Sequence, residues 1–150
     1  MRDLANTTIA AFKAIPDDLI AYIARISVGT VFFRSGLLKL EGWADGNTLT
    51  LFREEYRLPL IPPEIAAYMA TAAELTLPLL LFAGLLTRFA AAALLVMTLV
   101  IEIFVYPNAF DTHGVWAVCL LFLMKYGAGA LSLDNALGRY WSSPGEHRMS

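Results

Sequence analysis

The chain has 150 residues, 58% of them hydrophobic and only 16% charged, and its mean hydropathy is +0.60. A chain this short needs a large polar surface in water, so the composition excludes a soluble core-and-coat domain as well as disordered, collagen-like and disulfide-stapled classes. A formal net charge of -2 without a basic run argues against nucleic acid as a partner, and the single cysteine, Cys119, rules out an intrachain disulfide or a CxxC redox pair.

In chain order, residues 1–17 lack the uninterrupted apolar stretch of a secretory signal and are expected to form an interfacial helix, with Leu4, Phe12 and Ile15 toward the bilayer. Pro16 and Asp17 open the first apolar stretch, which spans residues 19–40. From Glu41 to Pro62 the residues Leu49, Leu51, Phe52, Tyr56 and Leu58 alternate with Arg53, Glu54, Glu55 and Arg57, the pattern of a helix lying along a membrane surface. The second, third and fourth stretches cover residues 63–86, 89–106 and 113–133. The second and third are joined by a tight turn at Leu86, Thr87 and Arg88, the third and fourth by YPNAFDT, where Asp111 and Thr112 are placed to cap the last helix. A helix needs about 20 apolar residues to cross roughly 30 Å of hydrocarbon, and each stretch is near that length. The third is apolar almost all round, which suits lipid better than water. The expectation is a single all-α membrane domain, a four-transmembrane-helix bundle with a surface-lying helix in its first outer loop and a polar cytoplasmic tail over residues 135–150.

Basic residues set the orientation. Arg2, Lys13, Arg88, Arg139 and Arg148 belong to the termini and second loop, against Arg53 and Arg57 in the first loop and none in the third. The positive-inside rule then puts both termini in the cytoplasm of a bacterial inner membrane. Tyr22, Tyr126, Tyr140 and Trp141 would form the inner aromatic belt, and Trp43, Tyr106 and Trp116 the outer one.

Ionisable residues inside the stretches carry the functional information, since a charge at mid-bilayer costs at least about 2.5 kcal/mol on insertion scales. Glu74 is the most costly, about 16 Å from the outer end of its span. Ala66 and Ala70 share its face, and Pro78 leaves the carbonyl of residue 74 without its helical donor, so a polar pocket facing the bundle interior is expected there. Arg34, Lys39, Glu102 and His113 fall beneath the outer surface, with Arg34 and Glu102 at depths where they can meet. These five residues form the candidate polar pocket. Arg25 and Lys125 read as snorkelling side chains, and Cys119 as a core filler. His113 has no second histidine near it, so no metal site is expected. An interhelical Arg34–Glu102 ion pair and a Lys39 anchor at the span end are the plain structural readings of the same residues.

GLLKL (Gly36 to Leu40), AELTLPLLLFAGLLTRFAAAALLVM (Ala73 to Met97) and GAGALSLD (Gly127 to Asp134) together resemble the DoxX family of small four-span bacterial membrane proteins. The resemblance places Lys39, Glu74 and Arg88 on the family's recurring polar positions. It implies an inner-membrane protein tied to redox, sulfur or metal-stress pathways, similar to the small subunit of a thiosulfate:quinone oxidoreductase. Glu102 and the segment from Tyr106 to Gly114 fall outside that pattern. Two functional readings follow. One is a quinone-linked redox component, at most an oxidoreductase subunit, whose cations meet quinone carbonyls while Glu74 or Glu102 exchanges protons. The other is a non-catalytic partner of a membrane or periplasmic protein, or a small-solute pathway, in which the charges are structural.

Overall fold

The computed structural model describes residues 2–142, and among them there is no strand. The helices are α1 (Arg2–Lys13), α2 (Asp17–Ala44), α3 (Asn47–Thr50), α4 (Pro63–Ala83), α5 (Thr87–Phe104), α6 (Phe110–Tyr126) and α7 (Leu133–Ser142), with a π-helical turn at Leu51–Tyr56 directly after α3. Arg148 and the tail beyond residue 142 lie outside the described residues, as does the side chain of Trp141.

Helix limits follow local chemistry. Pro16, in an extended conformation, forces the chain to begin α2 afresh, and Asp17 and Asp18 place negative charge on the exposed amides of its first turn. Pro63 fits the first turn of α4, where a missing N–H leaves no bond unmade. At the other end Gly84, with φ of 65°, takes the left-handed conformation that stops α4.

α2 packs against α4 and α6, and α5 closes the ring by packing against the same two helices. Inside the ring lie Ala21, Val28, Phe32, Leu81, Leu94, Leu120 and Leu123. The outward faces are also apolar, with Ile23, Leu38, Met69, Val96, Ile103 and Val118 exposed. A bundle that presents such residues all round has no polar coat to hold it in water. α4 and α5 are each long and apolar enough to cross a membrane. The end of the bundle where α2 begins and α4 ends is termed proximal, and the opposite end distal.

Several boundaries depart from the sequence reading. α2 continues one turn past residue 40, because Glu41, Gly42 and Trp43 are compatible with a helix that is emerging from the apolar layer. α6 begins at Phe110 without a side-chain cap, so Asp111 and Thr112 lie inside its first turn. It ends at Tyr126 and not at residue 133, since Gly127, at φ of 82°, turns the chain back across the proximal end. In the stretch expected to hold a surface helix, α3 runs directly into the π-helical turn, and Phe52 enters a cluster with Ala66 and Ala67 over the distal end. The residue 135–150 segment begins inside α7. Trp116 is half-buried and packs on Phe32 and His113.

The returning segment ties the proximal end together. Asp134 accepts hydrogen bonds from the amides of Leu86 (2.8 Å) and Thr87 (3.1 Å), while its own amide donates to the carbonyl of Gly84 (2.9 Å). One carboxylate thereby satisfies two open amides of α5 and holds Leu86 at a φ of 49°, a left-handed conformation few leucines adopt. Asp134→Ala is expected to lose about 1–2 kcal/mol, read as a lower melting temperature in detergent by helical circular dichroism, with Asp134→Asn losing less.

Candidate functional site

The distal half holds a buried ion pair. Lys39 projects from α2 and its Nζ lies 2.8 Å from Glu74 Oε2 and 3.1 Å from Oε1 on α4. A third donor bond goes to Ser35 Oγ at 2.8 Å, one turn earlier on α2. Lys39 is 6% exposed and Glu74 2%, so both charges have left solvent and each depends on the other. Helix contact is close here because residue 36 is glycine. A Cβ at Gly36 would lie 2.9 Å from the carbonyl carbon of Glu74, nearer than real Cβ atoms come.

Above the pair, Thr48 donates to the carbonyl of Lys39 at 2.6 Å and fastens α3 to α2. Trp43 Nε1 donates to Thr71 Oγ1 at 3.3 Å, a second link between α2 and α4. The Tyr56 ring, carried by the π-helical turn, sits 5.9 Å from Lys39 Nζ and edge-on to Tyr106. Burial pushes the Tyr56 phenol well above its ordinary pKa, and the neighbouring Tyr106, Glu74 and Glu55 add to the effect. Tyr56 is therefore a neutral donor at physiological pH. The Tyr106 phenol donates to the Glu55 carboxylate, and that hydrogen bond, followed by burial, raises its pKa as well.

A second pair lies nearby. His113 Nδ1 on α6 is 2.5 Å from Glu102 Oε2 on α5, and the imidazole rests against Trp116. Two cavities meet at Glu74. One, of about 310 Å³, lies between α4 and α5 and is walled by Met69, Ala73, Val96 and Met97, with Tyr56 and Glu74 at its polar edge. The other, of about 200 Å³, contains Ser35, Lys39, Glu74, Tyr106, His113 and Trp116 in its wall.

Of the five residues the sequence singled out, the structure brings together Lys39 with Glu74 and Glu102 with His113, and lines one cavity with Lys39, Glu74 and His113. Arg34 does not join them. Val28, Phe32, Gly36 and Lys39 take the inward face of α2, so Arg34 is turned outward together with Ser27 and Thr30 and makes no ion pair with Glu102. Lys39 is not merely an end anchor, because the extra turn of α2 sets it deeper than an end at residue 40 allows.

At the proximal end Arg25 does not snorkel. It is 1% exposed and donates from Nη2 to the carbonyl of Leu131 at 2.7 Å, because the segment after Gly127 folds over it. Lys125 is exposed, as expected, with its Nζ over the Tyr126 ring. Ser35 and Tyr56 were missed. Ser35 stands one turn before Lys39 and was legible from that spacing, whereas nothing in the residue pattern marks a π-helical turn.

An all-helical chain with an apolar exterior and two helices fit to cross a bilayer is a helical membrane protein. The DoxX family model matches residues 20–107, and the chain belongs to the DoxX family. It is similar to an uncharacterized protein of Haemophilus influenzae, 32% identical over 129 residues that cover 79% of this chain and 83% of the relative. No solved structure matches it.

Proposed function

We propose that this DoxX protein crosses the bacterial inner membrane with α2, α4, α5 and α6, keeps both termini in the cytoplasm, and binds a quinone headgroup at Glu74 and Tyr56 as the membrane component of a redox pathway. The distribution of Arg2, Lys13, Arg88 and Arg139 on the termini and the α4–α5 turn supports that orientation. One observation carries the site: a buried, charge-paired carboxylate forms the polar edge of an otherwise apolar cavity between two lipid-facing helices. Met69 and Val96, which wall the cavity, are 59% and 61% exposed, so it opens sideways to the acyl chains and not to water.

The residues fit such a group. A volume of about 310 Å³ is at the lower end of the range for small-molecule pockets, and the apolar wall with polar groups at one edge matches a flat ring bearing oxygens. When bound, a quinone supplies two-electron, two-proton carrier chemistry. The Tyr56 hydroxyl would donate to a carbonyl oxygen, and the Glu74 carboxylate, held in place from behind by Lys39, would hold a proton at Oε1 or Oε2. Met69 and Val96 keep the ring side free of water.

A short-chain ubiquinone added to the purified protein in lipid nanodiscs is expected to quench tryptophan fluorescence saturably. Glu74→Gln should weaken binding about 10- to 100-fold, the loss of one hydrogen bond to a charged group, and Ala73→Phe should block it by filling the cavity. Quenching no greater than partition into empty nanodiscs overturns the proposal. The mutual satisfaction of Lys39, Glu74 and Ser35 favours a second reading, in which the pair only clamps α2 to α4 for a non-catalytic subunit. Under that reading the parent protein shows no saturable quenching by ubiquinone, whatever the stability of the variants.

A further inference from the structure

We infer that Glu74 receives protons from the outer surface through the polar cavity between α2, α5 and α6, with His113 and Glu102 as the entry group. The ligand's approach from the lipid side rests on the reading above, but the proton route stands on its own geometry. Glu74, Tyr56 and Ile101 are common to both cavities, so the carboxylate stands in the partition between them.

The two chambers differ in kind. The larger is walled by alanine, valine and methionine, and cavities of that character stay dry. The smaller sets Ser35, Lys39, Tyr56, Glu74, Tyr106 and His113 among Val31, Phe32, Ile101 and Trp116, and its roughly 200 Å³ is room for several waters with polar partners within reach. It reaches the α5–α6 connection at Tyr106, whose phenol bonds to Glu55 at the distal surface. His113 is buried, yet its partner Glu102 is partly exposed, with 18% of the side chain accessible. An imidazole can both take up and release a proton, and the Glu102 carboxylate at Nδ1 fixes the orientation of this ring.

The charges balance along the route. A proton taken up at His113 passes to water in the chamber and then to a Glu74 oxygen, and nothing is oxidised or reduced. The Glu74 carboxyl becomes neutral while Lys39 keeps its charge and its bond to Ser35. Glu74 is faced by Lys39 and Ser35 from α2 and by Tyr56 from the π-helical turn, with Tyr106 and His113 across the cavity. His113 is faced by Glu102 from α5, with Lys39 opposite.

Two measurements on the full chain in nanodiscs test the route. In a Cys119→Ala background, Ser35→Cys is expected to react with a charged methanethiosulfonate at least about 10-fold faster than Ala73→Cys, because a thiol must meet water to ionise. Infrared spectra after a drop in pH are expected to show a protonated-carboxyl band that Glu74→Gln lacks, and its growth should slow by about 10-fold or more in His113→Phe and in Glu102→Gln. Equal thiol reactivity, absence of the band, or unchanged kinetics in both variants overturns the route. If the chamber labels and His113 sets the rate but no ubiquinone binds, the route stands and the quinone falls. Ubiquinone binding beside an unreactive Ser35→Cys gives the reverse.

Discussion

Lys39→Met, with Glu74 left in place, is expected to destabilise the bundle by about 3–5 kcal/mol, because it strands a buried carboxylate whose ion-pair partner among the described residues is Lys39. For a chain of this length such a loss corresponds to a fall of the order of 10 °C in melting temperature. Glu74→Leu should be equally severe, since the ammonium would keep only the bond to Ser35. Replacing both residues together should return stability close to the starting value. Two charges that both leave solvent pay most of their attraction back in desolvation, so an apolar pair of similar volume does about as well. Thermal unfolding of the three variants in one detergent, followed by helical circular dichroism, closes the cycle. Strong coupling between the single losses identifies a pair buried as a unit, and additive losses contradict the geometry. The double variant also separates roles, for a protein that regains stability but not ubiquinone binding shows that the charges serve the ligand and not the fold alone.

How much of this was legible beforehand depends on range. The apolar stretches and the inward face of Glu74 follow from spacing along one helix, and α4 buries its glutamate accordingly, although it runs on unbroken through Pro78. What one helix offers another does not follow from spacing. Depth counting from residue 40 set Arg34 opposite Glu102, but the real α2 runs to Ala44, and packing against α4 fixes its rotation through Gly29 and Gly36, so that Lys39 and not Arg34 turns inward. Arg25 was misread for a related reason. Reading residues 113–133 as one helix removed the very segment whose Leu131 carbonyl covers the guanidinium. The Asp134 cap is likewise invisible locally, as its partners Leu86 and Thr87 stand 48 and 47 residues away. The family pattern includes both the GLLTR turn and the SLD segment, and the hydrogen bonds of Asp134 join the two.

That same turn yields the second large effect. Gly84→Val is expected to prevent accumulation of folded protein in the membrane, and Gly84→Ala to lower the melting temperature well beyond what backbone strain explains. Two penalties coincide at this position. A φ of 65° disfavours any side chain, at about 1–2 kcal/mol for a residue with a Cβ. The Cβ would in addition lie 2.0 Å from Arg25 Nη1, 2.5 Å from Ser132 Cβ and 3.0 Å from Ser132 Cα, so both the buried guanidinium and the returning backbone must move. Gly46 separates the two terms, since its φ is 74° but no atom lies within 4 Å of an added Cβ. Gly46→Ala should therefore show the strain alone, and the excess in Gly84→Ala over Gly46→Ala measures the packing against Arg25 and Ser132. Arg25→Ala combined with Gly84→Ala should recover part of that excess but not all of it, because the Ser132 contact involves backbone that cannot swing aside. Equal losses at Gly84 and Gly46 would mean that the proximal segment is not seated against the α4–α5 turn, and the Asp134 cap would fall with it.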